Sequence, residues 1–137
     1  MIPKKFNLFL NHKITDFKKI IEVDSDKSIS IRSFIIGSIS QNASSVKNVL
    51  ESEDVFSTIS CLKKLGVHIK KVKPKNYIIY GKGLGSLHAK KNTFLNFGNS
   101  GTLARLLIGV LATTPGLEIK MKGDKSLNKR SMQKLIE

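Results

Sequence analysis

From Leu103 to Ala112 the chain runs LARLLIGVLA, in which Arg105 is the one polar side chain. A helix of that composition is apolar on nearly all sides and belongs deep inside a fold, with other elements packed round it. Its flanks agree. "TFLNF" before it reads as a strand, "GNSGT" as a tight turn, Pro115–Gly116 as a stop and "LEIKMK" as the next strand. A buried helix between two short strands points to an α/β chain whose layers share one core.

The first half carries a related order. Lys18 to Val23 reads as a short strand and Ser28 to Ile39 as a helix with apolar Ile29, Phe34, Ile35, Ile36 and Ile39. "ASSVKNVL" reads as a strand. Ser52 then caps a second helix, in which Val55, Phe56, Ile59, Leu62 and Leu65 keep helical spacing and Gly66 takes the C′ place. "VHIKKVK" and "NYIIYGK" form a hairpin turning at Pro74–Lys75. The organisation predicted is an α/β (α+β) fold of βαβαββ units, one whole and a second partial. "GDKSLNKRSMQKLIE" is predicted to open a further helix, still in phase at Leu135 and Ile136, so the chain reads as a truncated lobe.

With 137 residues the chain has room for about one domain. No apolar run approaches a membrane span, and "MIPKKFNLFLNHK" lacks the continuous apolar core of a secretion signal, which predicts a cytoplasmic protein. Cys61 is alone and falls on the apolar stripe of the second helix, where a buried thiol is expected. His12, His68 and His88 have no metal-ligand spacing. The net charge of +14 admits a basic nucleic-acid-binding module as a rival reading. Against it, the excess is lysine, 21 against 3 arginines, in scattered pairs and without tryptophan for stacking.

The arginines carry more information, because a lysine-rich chain keeps arginine where a planar fork matters. Arg32 and Arg130 fall in a repeated phrase, "DKSISIRS" from Asp26 and "DKSLNKRS" from Asp124. Arg105 follows the glycine-rich "FGNSGT". Each phrase stands at a strand-to-helix junction, where free N–H groups, a lysine and an arginine favour an anion. Gly98 and Gly101 allow close backbone approach, Ser28 adds a hydroxyl, and Asn99 is placed to orient its neighbours. Together they predict a site for one or two phosphorylated or carboxylated small molecules.

"DKSISIR", "LESEDVFSTISCLKKLG", "IIYGKGLG", "LNFGNSGTLARLLIGVL" and "GDKSLNKRSM", in this order, resemble the N-terminal part of the 5-enolpyruvylshikimate-3-phosphate synthase family. The resemblance runs from about Val23 to Glu137. It implies two lobes of βαβαββ repeats with ligands in the cleft between them. Residues 23–137 would form about one and a half repeats of one lobe, and residues 1–22 would pair with the other, missing lobe. It implies transfer of a carboxyvinyl group from phosphoenolpyruvate to shikimate 3-phosphate, with no metal or organic cofactor, no nucleic-acid or membrane partner, and a monomeric full-length enzyme. Lys27 would be catalytic and touch both substrates. Ser28 and Arg32 would hold shikimate 3-phosphate, and the backbone at Gly101 with Arg130 would hold phosphoenolpyruvate. Asp54, Asn99 and Arg105 would support them. Glyphosate, longer than phosphoenolpyruvate, would compete with it. The related UDP-N-acetylglucosamine enolpyruvyl transferases lack the "DKS…R" phrase and use a loop cysteine that Cys61 does not match. The chain departs from the family's usual residues at Asp24–Ser25 (usually Pro-Gly), Ile31 (usually His) and Ser131 (usually Pro).

Overall fold

The computed structural model describes Phe9 and residues 23–131. The strand expected from Lys18 therefore lies outside the described residues, apart from Val23, which is irregular. Within them the order is α1 (Lys27–Ile39), β1 (Ala43–Val46), α2 (Glu53–Lys64), β2 (His68–Lys73), β3 (Asn76–Tyr80), β4 (Phe94–Asn96), α3 (Gly101–Ala112) and β5 (Lys120–Lys122). A 3-10 turn, Leu127–Lys129, follows.

Strands β1, β3 and β2 form an antiparallel sheet in that spatial order, with Ile69 opposite Ile79 and Ala43 opposite Tyr80. Pro74–Lys75 makes the hairpin turn, Lys75 taking φ 58°. Strand β1 is shorter than the apolar pattern suggests because Asn48 turns the chain at φ 54°. Strands β4 and β5 are parallel, and α3 is the crossover between them.

Helix α2 ends as its sequence predicts. Gly66 takes φ 83°, the Val67 N–H donates to the Leu62 carbonyl and the Gly66 N–H to that of Lys63, which is a Schellman motif. Its start is less conventional: Ser52 holds the N-cap position, but its hydroxyl makes no capping bond. Helices α1, α2 and α3 share one core in which Phe34, Ile31, Leu62, Ile79, Leu95 and Leu107 are fully buried. Phe34 meets Tyr77 edge-on at 5.3 Å, tying α1 to the sheet.

Two expectations about helix faces need correction. Helix α1 buries Ile31, Phe34 and Ile35 but leaves Ile29 and Ile36 about two-thirds exposed. Ile31, a departure from the family's usual histidine, is thus core packing. Helix α3 is not buried all round: Leu103, Ala104, Leu107 and Leu111 are inside, while Leu106 is 38% exposed. No described element covers that side, which with Ile36 of α1 lines an apolar groove.

Glu51, at the base of the sheet, gathers three donors. Lys71 Nζ lies 2.8 Å away, and the Tyr77 hydroxyl and Lys75 N–H donate at 2.7 and 3.1 Å. Lys71 first, then Tyr77 and Lys75, lower the Glu51 carboxyl from 4.5 to about 2. A depressed folded-state value stabilises the fold fully above 4.5 and loses that contribution as pH falls through about 2. Glu51→Gln should therefore flatten the fall of the urea midpoint across that acid window. Parallel acid profiles for the two proteins would show that the carboxylate contributes nothing there.

Candidate anion site at three helix starts

Each anion-ready terminus is set by an N-cap. Asp26 caps α1, its carboxylate accepting from the Ile29 N–H at 2.7 Å. Asp124 accepts from the Leu127 N–H, also at 2.7 Å. In both phrases the N–H four residues after the aspartate donates to the aspartate's carbonyl at 3.0 Å. The repeated sequence thus builds one repeated turn. The copies then part. Helix α1 continues because Phe34 and Ile35 have a core to enter, whereas after Leu127 the residues Asn128, Lys129 and Arg130 are exposed. The predicted second helix is therefore, within the described residues, only the 3-10 turn, and Arg130 is extended at φ −82°, ψ 131°.

That extension turns Arg130 toward the start of α3. Ser100 caps α3, accepting from the Leu103 N–H at 3.3 Å. Gly101 follows, and a Cβ built on it would lie 3.0 Å from Arg130 Nη1 and 3.4 Å from Arg105 Nη1. Arg130 Nη2 donates to Asn99 Oδ1 at 2.9 Å. Two guanidinium groups and a helix N-terminus converge on one glycine. Among the described residues the ion pairs are Lys27–Asp54 and Lys71–Glu51, so no carboxylate offsets this pair of cations. The arrangement favours an anion.

Lys27, on the first turn of α1, pairs with Asp54 on the first turn of α2 at 2.9 Å. Three residues along α2, Ser57 Oγ would lie 3.2 Å from a Cβ on Gly98, whose φ is 55°. The start of α2 therefore sits between Lys27 and the glycine-rich turn, which brings Lys27, Asp54, Asn99, Gly101, Arg105 and Arg130 to one end of the molecule. Ser28 and Arg32 share a stripe of α1 at i and i+4. Arg32 lines the groove with Leu106, the residue after Arg105, rather than joining the Gly101 cluster. A separate, mostly apolar cleft of about 310 Å³ lies between Phe97, Ile108, Met121 and Leu127, with Arg130 at its edge. Ser57 and the capping role of Asp124 were not singled out from sequence. Ser57 carries no sequence signal, while Asp124 could have been found as the counterpart of Asp26.

Cys61 is buried and donates to the Asn96 carbonyl at 3.4 Å. Burial pushes its thiol up to about 11, which favours the protonated form at neutral pH. No described helix is long and apolar enough to cross a membrane.

Known proteins resemble this chain in sequence and fold. The EPSP synthase (3-phosphoshikimate 1-carboxyvinyltransferase) family profile matches residues 11–137. The chain is 45% identical over 116 residues to the 3-phosphoshikimate 1-carboxyvinyltransferase of Streptococcus pyogenes, covering 85% of this chain and 26% of that protein. It is 39% identical over 137 residues to the Leptospira interrogans protein of the same name, covering 100% and 29%. A solved EPSP synthase from Acinetobacter baumannii superimposes with TM-score 0.73 at 38% identity, over 82% of this chain and 25% of that one. The chain thus spans between a quarter and a third of the length of these relatives. All are carboxyvinyl transferases by name, and they lend no support to a nucleic-acid-binding module. An all-but-complete family match, on a fold that brings Lys27 of one repeated phrase and Arg130 of the other to its helix starts, has one reading: the chain belongs to the EPSP synthase family.

Proposed function

We propose that this chain supplies the N-terminal, anion-holding part of an enzyme that transfers the enolpyruvyl group of phosphoenolpyruvate to the 5-hydroxyl of shikimate 3-phosphate. The product leads toward chorismate and the aromatic amino acids. The observation that carries this reading is Gly101 between the guanidinium groups of Arg105 and Arg130 at the start of α3. Phosphoenolpyruvate presents a carboxylate and a phosphate, and two planar forks with a helix N-terminus match that charge and shape. Arg130 and the Gly101 backbone bind it, with Asn99 fixing Arg130 and Arg105 adding charge. Ser28 and Arg32 hold shikimate 3-phosphate along α1. Lys27, held beside the cluster by Asp54, reaches both ligands and neutralises charge as the new carbon–oxygen bond forms. The same reading makes residues 23–137 about one and a half βαβαββ repeats of one lobe, in a cytoplasmic enzyme that is monomeric at full length and needs no nucleic acid.

The test joins this chain to the remainder of the Streptococcus pyogenes relative in place of its matching segment. The chimera should release phosphate from phosphoenolpyruvate only when shikimate 3-phosphate is present. The 137-residue chain alone should stay at background, because proximity is lost without the groups that close the site. An inactive but folded chimera, or turnover by the chain alone, would overturn the reading.

A further inference from the structure

We infer that Asp124 is a positioning residue, which sets the guanidinium of Arg130 against Asn99 and Gly101 without touching a ligand itself. The backbone of Asp124 is fixed first. Its N–H donates to the Gly98 carbonyl at 2.8 Å, locking the second phrase onto the glycine-rich turn that leads into α3. Its carboxylate then caps the Leu127 N–H, and its carbonyl accepts from the Asn128 N–H. The Asn128 side chain closes the loop by accepting from the Gly123 N–H at 3.1 Å. Leu127, so held, is buried, and its Cδ1 would lie 3.8 Å from a Cβ on Gly101. The Arg130 N–H donates to the Leu127 carbonyl at 3.0 Å, ending the turn. Every step from Asp124 to Arg130 is a hydrogen bond or a buried contact, whereas the Arg130 side chain is exposed and has one side-chain anchor among the described residues, Asn99. A turn of three residues has little cooperativity of its own, so its cap decides whether it forms. Asp26 supplies the control, being the same cap with the same distance on α1, in a turn that none of these hydrogen bonds joins to Arg130.

The experiment follows the Arg130 Nε–Hε resonance of the 15N-labelled 137-residue chain and the rotation rate of its guanidinium, with Arg32 as an internal comparison. In the unaltered chain Arg130 should rotate more slowly than Arg32. Asp124→Ala should speed it about fivefold, the population shift that one cap is worth. Asp124→Asn, which keeps the acceptor, should restore the slow rate, and Asp26→Ala should leave Arg130 unmoved. Asp124→Thr, a weaker cap, should give an intermediate rate and serves where Asp124→Ala does not fold. An unchanged rate in both Asp124→Ala and Asp124→Thr, or equal acceleration by Asp26→Ala, overturns the inference. What Arg130 holds rests on the function proposed above, but its placement is measured without ligand and stands or falls separately. In the chimera, Asp124→Ala should raise the Michaelis constant for phosphoenolpyruvate and leave that for shikimate 3-phosphate unchanged. A rise in both would make Asp124 merely structural.

Discussion

In the chimeric enzyme, Arg130→Lys raises the Michaelis constant for phosphoenolpyruvate by about tenfold to a hundredfold, the loss expected when a charge-assisted hydrogen bond of ~1.5–3 kcal/mol is removed. The constant for shikimate 3-phosphate should change by less than about twofold, as for a surface substitution remote from it. The asymmetry follows from geometry. Arg130 uses Nη2 to bond Asn99 at 2.9 Å while Nη1 faces Gly101. A guanidinium serves both partners from one plane. A lysine ammonium is one point and must choose between them. Steady-state kinetics with each substrate varied in turn checks this. Equal effects on both constants would show that the two repeated phrases have been assigned to the wrong ligands.

Gly101→Ala is expected to weaken glyphosate by about fivefold to a hundredfold, a clash of ~1–3 kcal/mol, while phosphoenolpyruvate loses far less. The new methyl would stand 3.0 Å from Arg130 Nη1 and 3.4 Å from Arg105 Nη1, so both guanidinium groups must yield by a few tenths of an ångström. On the proposed reading they yield into the space assigned to the anion, and the longer ligand meets the intrusion first. Gly101 opens α3 in ordinary helical geometry. Alanine there should leave stability unchanged or raise it by up to ~1 kcal/mol. Binding and stability therefore move in different directions, which separates this reading from the plainer one in which Gly101 only eases the helix start. Inhibition curves and melting curves for the two chimeras decide it. Identical inhibition constants would remove Gly101 from the site.

The sequence made some features legible because local chemistry alone determines them. Gly66 ends α2 where a residue of positive φ is required, Pro74–Lys75 turns the hairpin, and "GNSGT" starts α3. The strand and helix order over the described residues follows from the same punctuation. What stayed hidden depends on partners distant in sequence. The face that α1 buries is not legible because its isoleucines surround the helix, and the core shared with α2, α3 and the sheet decides that Ile31 goes in and Ile36 stays out. Within the described residues the start of the expected second helix is only a 3-10 turn, although its phrase matches one that does propagate. Propagation needs buried contacts, and no periodic pattern ensures them. In the site, the residue types were readable but the pairings were not. Nothing in the letters joins Asn99 to Arg130 or Asp54 to Lys27.

The pairing of Lys27 with Asp54 has a consequence for how binding responds to ionic strength. Lys27 already has a carboxylate at 2.9 Å, whereas neither Arg105 nor Arg130 has one among the described residues. A ligand meeting the arginines displaces mobile counterions from solution, and added salt opposes that step by mass action. A ligand meeting Lys27 displaces a tethered counterion belonging to the protein, which salt does not replenish. Three cations should therefore give the salt slope of only two. Asp54→Asn, by handing Lys27 back to the solvent's ions, should make the slope steeper even where the affinity at a single salt concentration hardly moves.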